Sequence, residues 1–367
     1  MNATFNNKRW GYLLSLSFPL VPAIGWTLGN ATGMPALFAW YTVAVAFVLL
    51  PLVDALVGTD QHNPPEQEAN ALSSDAFYRR LTYFVVPLHV GHLMFSGWYF
   101  ITLDAGWIAA LGVLVSAGVV SGTTAITTAH ELIHKPSKHE QWMGGALLAS
   151  VLYASFKPEH LYGHHRHVAT PRDGSTARRG ESVYRFVARS MLRNPSRGYR
   201  LAAAALTRRG ISVWSVRNEM VWWSALSLAL IALAAVLGGV SGVLFFLIQA
   251  WFAIVLLEII NYVEHYGLQR ALLANGRYER VTPRHSWNAN HLLTNLFLFQ
   301  LQRHSDHHAN GARRYQALRH FDDSPQLPFG YATAVVAALL PPVWFFVMHR
   351  RLEQFDAERS DADLRHA

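Results

Sequence analysis

Hydrophobic residues in this chain neither alternate nor keep to one helical face. They run in blocks long enough to cross about 30 Å of hydrocarbon, which takes about 20 helical residues. The blocks fall at about Trp10 to Leu28, Met34 to Val57, Leu81 to Leu103, Trp107 to Ala129, Met220 to Leu237 and Val243 to Val263. The pattern predicts an all-α integral membrane protein with six transmembrane helices. Lys8 and Arg9 precede the first block as they would a signal peptide, but no small-residue cleavage site follows and the next block begins almost at once, so it is expected to be retained. A seventh apolar run, Leu327 to Met348, carries Pro341-Pro342 and is expected to be buried or interfacial rather than spanning.

The polar stretches divide the rest. Residues 1–352 are expected to form one membrane domain, with a polar cap made of 130–217 and 264–352; residues 353–367 look like a polar, linker-like tail.

Composition agrees with this picture: 51% of the 367 residues are hydrophobic, and twelve are Trp. A formal charge of +8 suggests nucleic acid or acidic partners at first sight. Position argues otherwise, because no Lys or Arg occurs in the short connections between blocks one and two, three and four, or five and six. Fifteen of the 31 basic residues lie in 130–217 and twelve follow the sixth block. By the positive-inside rule both termini and the cap face the cytoplasm, and the basic residues meet lipid headgroups rather than nucleic acid. The chain has no cysteine, which excludes disulfides and thiolate-held iron within it. Electrons for any redox chemistry must then come from another protein.

Nine of the nineteen histidines gather in four stretches of the cap: His130 and His134 in HELIHK; His160, His164 and His165 in EHLYGHH; His265 in NYVEHYGL; and His304, His307 and His308 in LQRHSDHH. Helical spacings i, i+3 and i+4 put side chains on one face, so the last three would point into one small volume. A lone histidine at a membrane boundary is more simply an interfacial hydrogen-bonding residue. The set, brought to one side by charge and hydropathy independently, points to metal. Nine ligands exceed what two tetrahedral zinc ions need and suit two ions of higher coordination, though spacing alone leaves iron and zinc both open.

HELIHK, EHLYGHH, NYVEHYGL and LQRHSDHHA resemble the histidine boxes of the membrane-bound alkane 1-monooxygenases, within the wider group of membrane fatty-acid desaturases and hydroxylases. Desaturases usually carry H-x2-HH in the second box, whereas His160-x3-His164-His165 is similar to the alkane hydroxylase pattern. The resemblance implies two non-haem iron ions held by His130, His134, His160, His164, His165, His265, His304, His307 and His308. It implies hydroxylation of the terminal methyl of n-alkanes with O2, with electrons from rubredoxin and its reductase, the former separate or fused in relatives. It also implies a multi-pass protein of the bacterial inner membrane.

Ligating histidines usually give their outer N–H to a second group. Glu131, Glu159, Glu258, Asn261, Glu264 and Asp306 are candidates for that role, and His89 and His92, inside the third block, for an outer partner or a proton path. His139, His167, His285 and His291 complete no pattern and are expected not to ligate. Electron-carrier docking is expected on the basic face within Arg166 to Arg217 or near Arg313 and Arg314. Competing readings are a desaturase or aryl-methyl hydroxylase using the same cap, and a divalent-metal transporter. A transporter should place ionisable groups at the midplane of several spans, and these histidines gather at the boundary instead.

Overall fold

The computed structural model describes residues 8–366, and side chains to residue 358. Among them there is no β-strand, only isolated bridges at Thr59–His291, Leu272–Tyr278 and Asn288–Gln326. Four helices are long and apolar enough to cross a membrane: α1 (Lys8–Thr32), α3 (Ala76–Thr102), α4 (Gly106–Ile133) and α8 (Glu219–His265). Of the remaining helices, α2 (Tyr41–Val57) is shorter and apolar.

Two of the six expected blocks therefore do not appear as separate long helices, for different reasons. The second block is interrupted: Pro35–Phe38 forms a short helix of its own, and α2 follows with a π turn at Val45–Leu49. The fifth and sixth blocks lie within α8, whose helical run breaks at Gly239 with φ 56° and ψ −141°. That conformation suits only glycine. A Cβ on Gly242 would lie 2.1 Å from the carbonyl oxygen of Ala234, eight residues back. Eight residues of straight helix would span about 12 Å, so the chain doubles back on itself at Gly239.

Small residues let α4 and α8 pack at the centre. A Cβ on Gly118 of α4 would sit 2.3 Å from Phe252 Cβ and 3.0 Å from the Gln249 carbonyl. Close approach of this kind is how membrane helices gain packing without a hydrophobic driving force. The same two helices carry His130 and His265 towards their ends.

The cap contains α5 (Lys138–Ser150), a helical stretch α6 at 156–167, α7 (Val183–Thr207), α9 (His304–Ala309), α10 (Tyr331–Ala338) and α11 (Pro341–His366). Ser182 caps α7 by accepting from Arg185 N–H, and Asn218 caps α8 by accepting from Met220 N–H at 3.0 Å. The seventh apolar run breaks before Pro341, and one face of its second half is buried: Trp344 and Met348 are fully covered, with Trp344 5.4 Å from the Tyr262 ring, while Val343 and Phe346 are exposed. The polar stretch from Glu353, expected to be a linker, continues α11 helically to His366. Its Glu, Gln, Ala and Arg residues are good helix formers, and buried Leu352 fixes the preceding turn.

Candidate metal centre

The four histidine stretches converge into two neighbouring groups. His130, His134, His160, His165 and His307 form one, and His164, His265, His304 and His308 the other; within each group one ring nitrogen per residue lies within 4.8 Å of all the rest. The groups abut, with the His165 and His308 rings stacked at 4.4 Å.

Helix geometry decides which ring joins which group. His130 and His134 are i, i+4 on the last turn of α4, and His304 and His308 are i, i+4 on α9, so each pair shares a group. His307, one position off, turns into the other group rather than the shared volume expected from its sequence position. In α6, residues His160–His164 form a π turn in which the His165 N–H reaches the His160 carbonyl, five residues back. That extra residue brings His165 over His160 and sends His164 to the second group.

The ring nitrogens face one another at short range. In the five-histidine group the Nε2 of His160 is 3.0 Å from those of His134 and His165, and the Nε2 of His165 is 3.1 Å from that of His307. In the four-histidine group, the Nε2 atoms of His308 and His304 are 2.9 Å apart, while His164–His308 and His304–His265 are each 3.2 Å. A neutral ring has one N–H and one bare nitrogen, so nitrogens sharing several such neighbours cannot all be satisfied by each other. A cation among them satisfies every one. Two nitrogens about 2.1 Å from one ion lie about 3.0 Å apart at a right angle and about 3.4 Å apart at the tetrahedral angle. Separations of 2.9 to 3.2 Å between neighbouring ring nitrogens are within the range for ligands that share one ion.

Electrostatics prepare the rings for this. Burial holds His134, His160, His165, His304, His307 and His308 well below the usual imidazole range, so they are neutral, as metal binding requires. His164 differs. Burial lowers it, but the Asp173 carboxylate 2.9 Å from its Nδ1 more than offsets that and pushes it up. Burial in turn raises Asp173, yet His164 and the Thr176 hydroxyl at 2.6 Å hold it well below the carboxylate range.

The candidate outer partners separate by what they touch. Glu264 lies 3.3 Å from His304 Nε2 and accepts from the Tyr331 hydroxyl at 2.8 Å. Glu258 accepts from the Tyr153 hydroxyl at 2.6 Å and from the Asn261 amide at 3.1 Å. Glu159 lies 3.4 Å from Arg197, and burial first, with the Asp173 charge second, pushes it up to about 8. Glu131 pairs with buried Lys135 at 2.9 Å and accepts from Tyr315 N–H, while Asp306 is taken up by Arg319, Asn310 and Arg313. Asp173, nine residues beyond His164 in a loop, was not legible from spacing.

His89 and His92 lie away from both groups, buried in α3. His89 Nε2 is 2.9 Å from Ser150 Oγ, and His92 bridges Ser96 and the Ala117 carbonyl, so the pair ties α3 to α5 and α4. His139, His167, His285 and His291 belong to neither group.

An apolar cavity leads to the histidines. Its walls come from α1 (Phe18), α2 (Ala46, Phe47, Leu50), α4 (Gly122 to Thr127), α8 (Leu256, Leu257, Ile260) and residues 294–301, and it ends on His130, His160 and His304. The cavity therefore touches both groups. Asn261, Glu264 and Tyr331 are polar groups lining it.

Sequence comparison places the chain among known enzymes. A family model described as fatty acid desaturase matches residues 105–348. Alkane 1-monooxygenase 2 of Pseudomonas aeruginosa is 47% identical over 95% of this chain and 93% of its own length. Alkane 1-monooxygenase 2 of Alcanivorax borkumensis is 47% identical over 95% and 92%, and alkane 1-monooxygenase 1 of Pseudomonas aeruginosa 46% over 95% and 92%. With its four histidine stretches, two nitrogen-rich centres and near full-length similarity, the chain belongs to the alkane 1-monooxygenase family of the membrane desaturase and hydroxylase group.

Proposed function

We propose that this protein hydroxylates the terminal methyl of n-alkanes to primary alcohols, using O2 and electrons from rubredoxin and its reductase. The nine histidines hold two non-haem irons, one in each group. The observation that carries the reading is the apolar cavity ending on rings of both groups. An alkane offers no hydrogen bond, so only an apolar passage of defined shape can bring one end of it to a reacting centre.

Bound iron supplies the reduction of O2 and the oxidising power for an unactivated C–H bond. The chain does the rest. Phe18, Phe47, Leu257, Ile260 and Leu298 strip water from the alkane and hold it extended, each buried CH2 adding about 0.8 kcal/mol to binding. The apolar walls bring the terminal carbon to the centre and keep bulk water from it. Asp173 holds the His164 tautomer with Nδ1–H outward, leaving Nε2 free to ligate. Glu264, fixed by Tyr331, and Asn261, fixed by Glu258, offer polar contacts for the new hydroxyl.

Topology follows from the same reading. The break at Gly239 lets α8 supply two crossings, the interrupted second block supplies another, and with α1, α3 and α4 the protein crosses the bacterial inner membrane six times. The excess of Lys and Arg in the cap supports a cytoplasmic location for both termini and the metal centre.

The test is turnover by the purified protein in lipid nanodiscs, supplied with O2, rubredoxin, its reductase and NADH. Octane, dodecane, p-xylene and a fatty acyl thioester are offered separately. Primary alcohol from the n-alkanes, absent without rubredoxin, with about two irons retained per chain, is the expected result. An olefin from the thioester, or oxidation of xylene alone, overturns it.

A further inference from the structure

An alkane brought to the histidines must still be placed so that its terminal carbon, and not the next one, is oxidised. Secondary C–H bonds are weaker than primary ones, so a chain end held loosely reacts at its second carbon. Thr294, Leu298, Leu301 and Tyr331 form one wall of the cavity. Leu298 and Leu301 also border a second, small pocket together with His130 and His307, which puts this wall at the histidine end. None of the four lies on a long apolar helix, so their position has to be fixed by other means.

The fixing group is an acid on α2. Asp54 stands in the apolar second block and is 3% exposed, a setting in which a carboxylate is costly and usually has a role. Its Oδ1 accepts from the N–H groups of Leu293 and Thr294 at 3.1 and 3.2 Å, and its Oδ2 accepts from the Thr294 hydroxyl at 2.6 Å. The Thr294 hydroxyl accepts in turn from Gln302 Nε2 at 2.7 Å, and Gln302 Oε1 accepts from Tyr331 N–H at 2.8 Å. All four residues are buried. Gly330 permits the close fit, because a Cβ there would lie 2.7 Å from Asp54 Oδ2. Within the same segment Phe299 and Gln300 hold left-handed φ values of 50° and 58°, and Gln300 Nε2 is tied to the Tyr12 hydroxyl at 2.6 Å. Such backbone persists only where its surroundings over-determine it.

The hydrogen-bond chain runs one way. Tyr331 donates to Gln302, Gln302 to Thr294 and Thr294 to Asp54, where it ends because a carboxylate only accepts. An amide at position 54 would turn an NH2 towards Thr294, whose own proton must then go to Gln302. Gln302 would have to reverse and set its NH2 against the Tyr331 N–H.

We propose that Asp54 is a positioning residue for regioselectivity, holding the wall at the histidine end through Thr294 and Gln302 so that the terminal carbon alone reaches the centre. Asp54 itself does not line the cavity. The inference rests on the function proposed above. At either carbon the reaction is RH + O2 + 2 e⁻ + 2 H⁺ → ROH + H2O, with electrons from the reduced carrier protein, so only the C–H bond that breaks differs.

The experiment compares 1-octanol with 2-octanol formed from octane by the iron-loaded protein in nanodiscs, supplied with O2, rubredoxin, its reductase and NADH. Asp54→Asn should raise the share of 2-octanol by at least about tenfold, with iron content unchanged. Gln302→Glu alone sets two carboxylates against one Thr294 proton and should raise it as well. Asp54→Asn/Gln302→Glu moves the acceptor and its charge to the other side of Thr294 and gives every donor a partner again. The share should then return to within about twofold of the original. Asn218→Ala removes a cap of α8, lines no part of the cavity and should leave the share unchanged, which separates lost stability from lost positioning. Should Asp54→Asn not fold, Gln302→Glu against the double variant makes the same comparison. A share that Asp54→Asn leaves unmoved, a double variant no better than the singles, or an equal rise in Asn218→Ala overturns the proposal. Absence of any alcohol from the unaltered protein overturns the function proposed above instead.

Discussion

The Nε2 atoms of His160 and His165, five residues apart, lie 3.0 Å from each other, while His164, beside His165 in sequence, belongs to the other group. A π turn makes this possible, and it separates neighbours in the chain into different histidine groups. Ligand loss should follow the spatial groups and not the sequence. His164→Ala/His308→Ala removes two of four ligands from one group and should lower iron from about two to about one per chain. His164→Ala/His165→Ala, equally conservative by sequence, takes one ligand from each group and should weaken both ions. Iron per chain after gel filtration in dilute chelator distinguishes the two patterns.

Asp173 gives the second expectation. Its carboxylate fixes the His164 tautomer and strengthens Nε2 as a donor. Asp173→Asn keeps the size and loses the charge, and outer partners of this kind typically contribute about 10- to 100-fold in metal affinity. Competition with a chromophoric chelator should show one of the two irons released at correspondingly lower chelator concentration, with the other unaffected.

What could be seen without coordinates followed α-helical periodicity. His130/His134 and His304/His308 were legible because i, i+4 is the repeat of an ordinary helix, and the turn at Gly239 was legible as a dip in hydropathy. His160/His165 was not, because a π turn has no signature in spacing. Acids next to ligands were misleading in part: adjacent residues on a helix point about 100° apart. Glu131 and Asp306 accordingly turn to Lys135 and to Arg319, while Asp173 reaches His164 from a loop. The stretch beyond Leu352 continues α11 because its composition favours helix once that helix has started.

The pH dependence has a worked sign. Six rings outside the membrane helices are held well below the usual imidazole value by burial, so below about pH 6.5 the unfolded chain takes up protons that the folded chain does not. Their effect is absent above that pH and destabilises progressively as pH falls towards the depressed folded values. His164 and Glu159 oppose this, since a raised folded value favours the fold as pH falls and that contribution fades as pH rises through it, but they are two groups against six. The metal-free protein should therefore melt at lower temperature at pH 5.5 than at pH 7.5, and iron should be released over the same interval. Melting in detergent at the two pH values, with and without iron, measures it.

Chain-length selectivity should move with the cavity walls. Leu257 on α8 lines the passage, and Leu257→Trp would occupy space that distal methylenes otherwise fill. Each methylene excluded costs about 0.8 kcal/mol, or about fourfold in kcat/KM. Competition between octane and hexadecane should shift towards octane by at least one such step, and an unchanged ratio would show that Leu257 does not border the bound chain.

The contact between α4 and α8 sets the position of His130 against His265, and Gly118 is its closest point. A Cβ there would lie 2.3 Å from Phe252 Cβ and 3.0 Å from a backbone carbonyl, so the strain cannot be relieved by rotating one flexible side chain. Gly118→Val must push the helices apart, and both carry clustered histidines at the ends nearest the cap, α4 for one group and α8 for the other. Overpacking of this kind typically costs about 1–3 kcal/mol. The variant should melt several degrees lower and lose iron from both groups although no ligand has been touched. Gly118→Val/Phe252→Gly, which removes the Cβ that clashes, should recover part of both losses. If the double variant recovers the melting temperature but not the iron, helix spacing does not set the metal geometry, and the two groups are positioned by the cap alone.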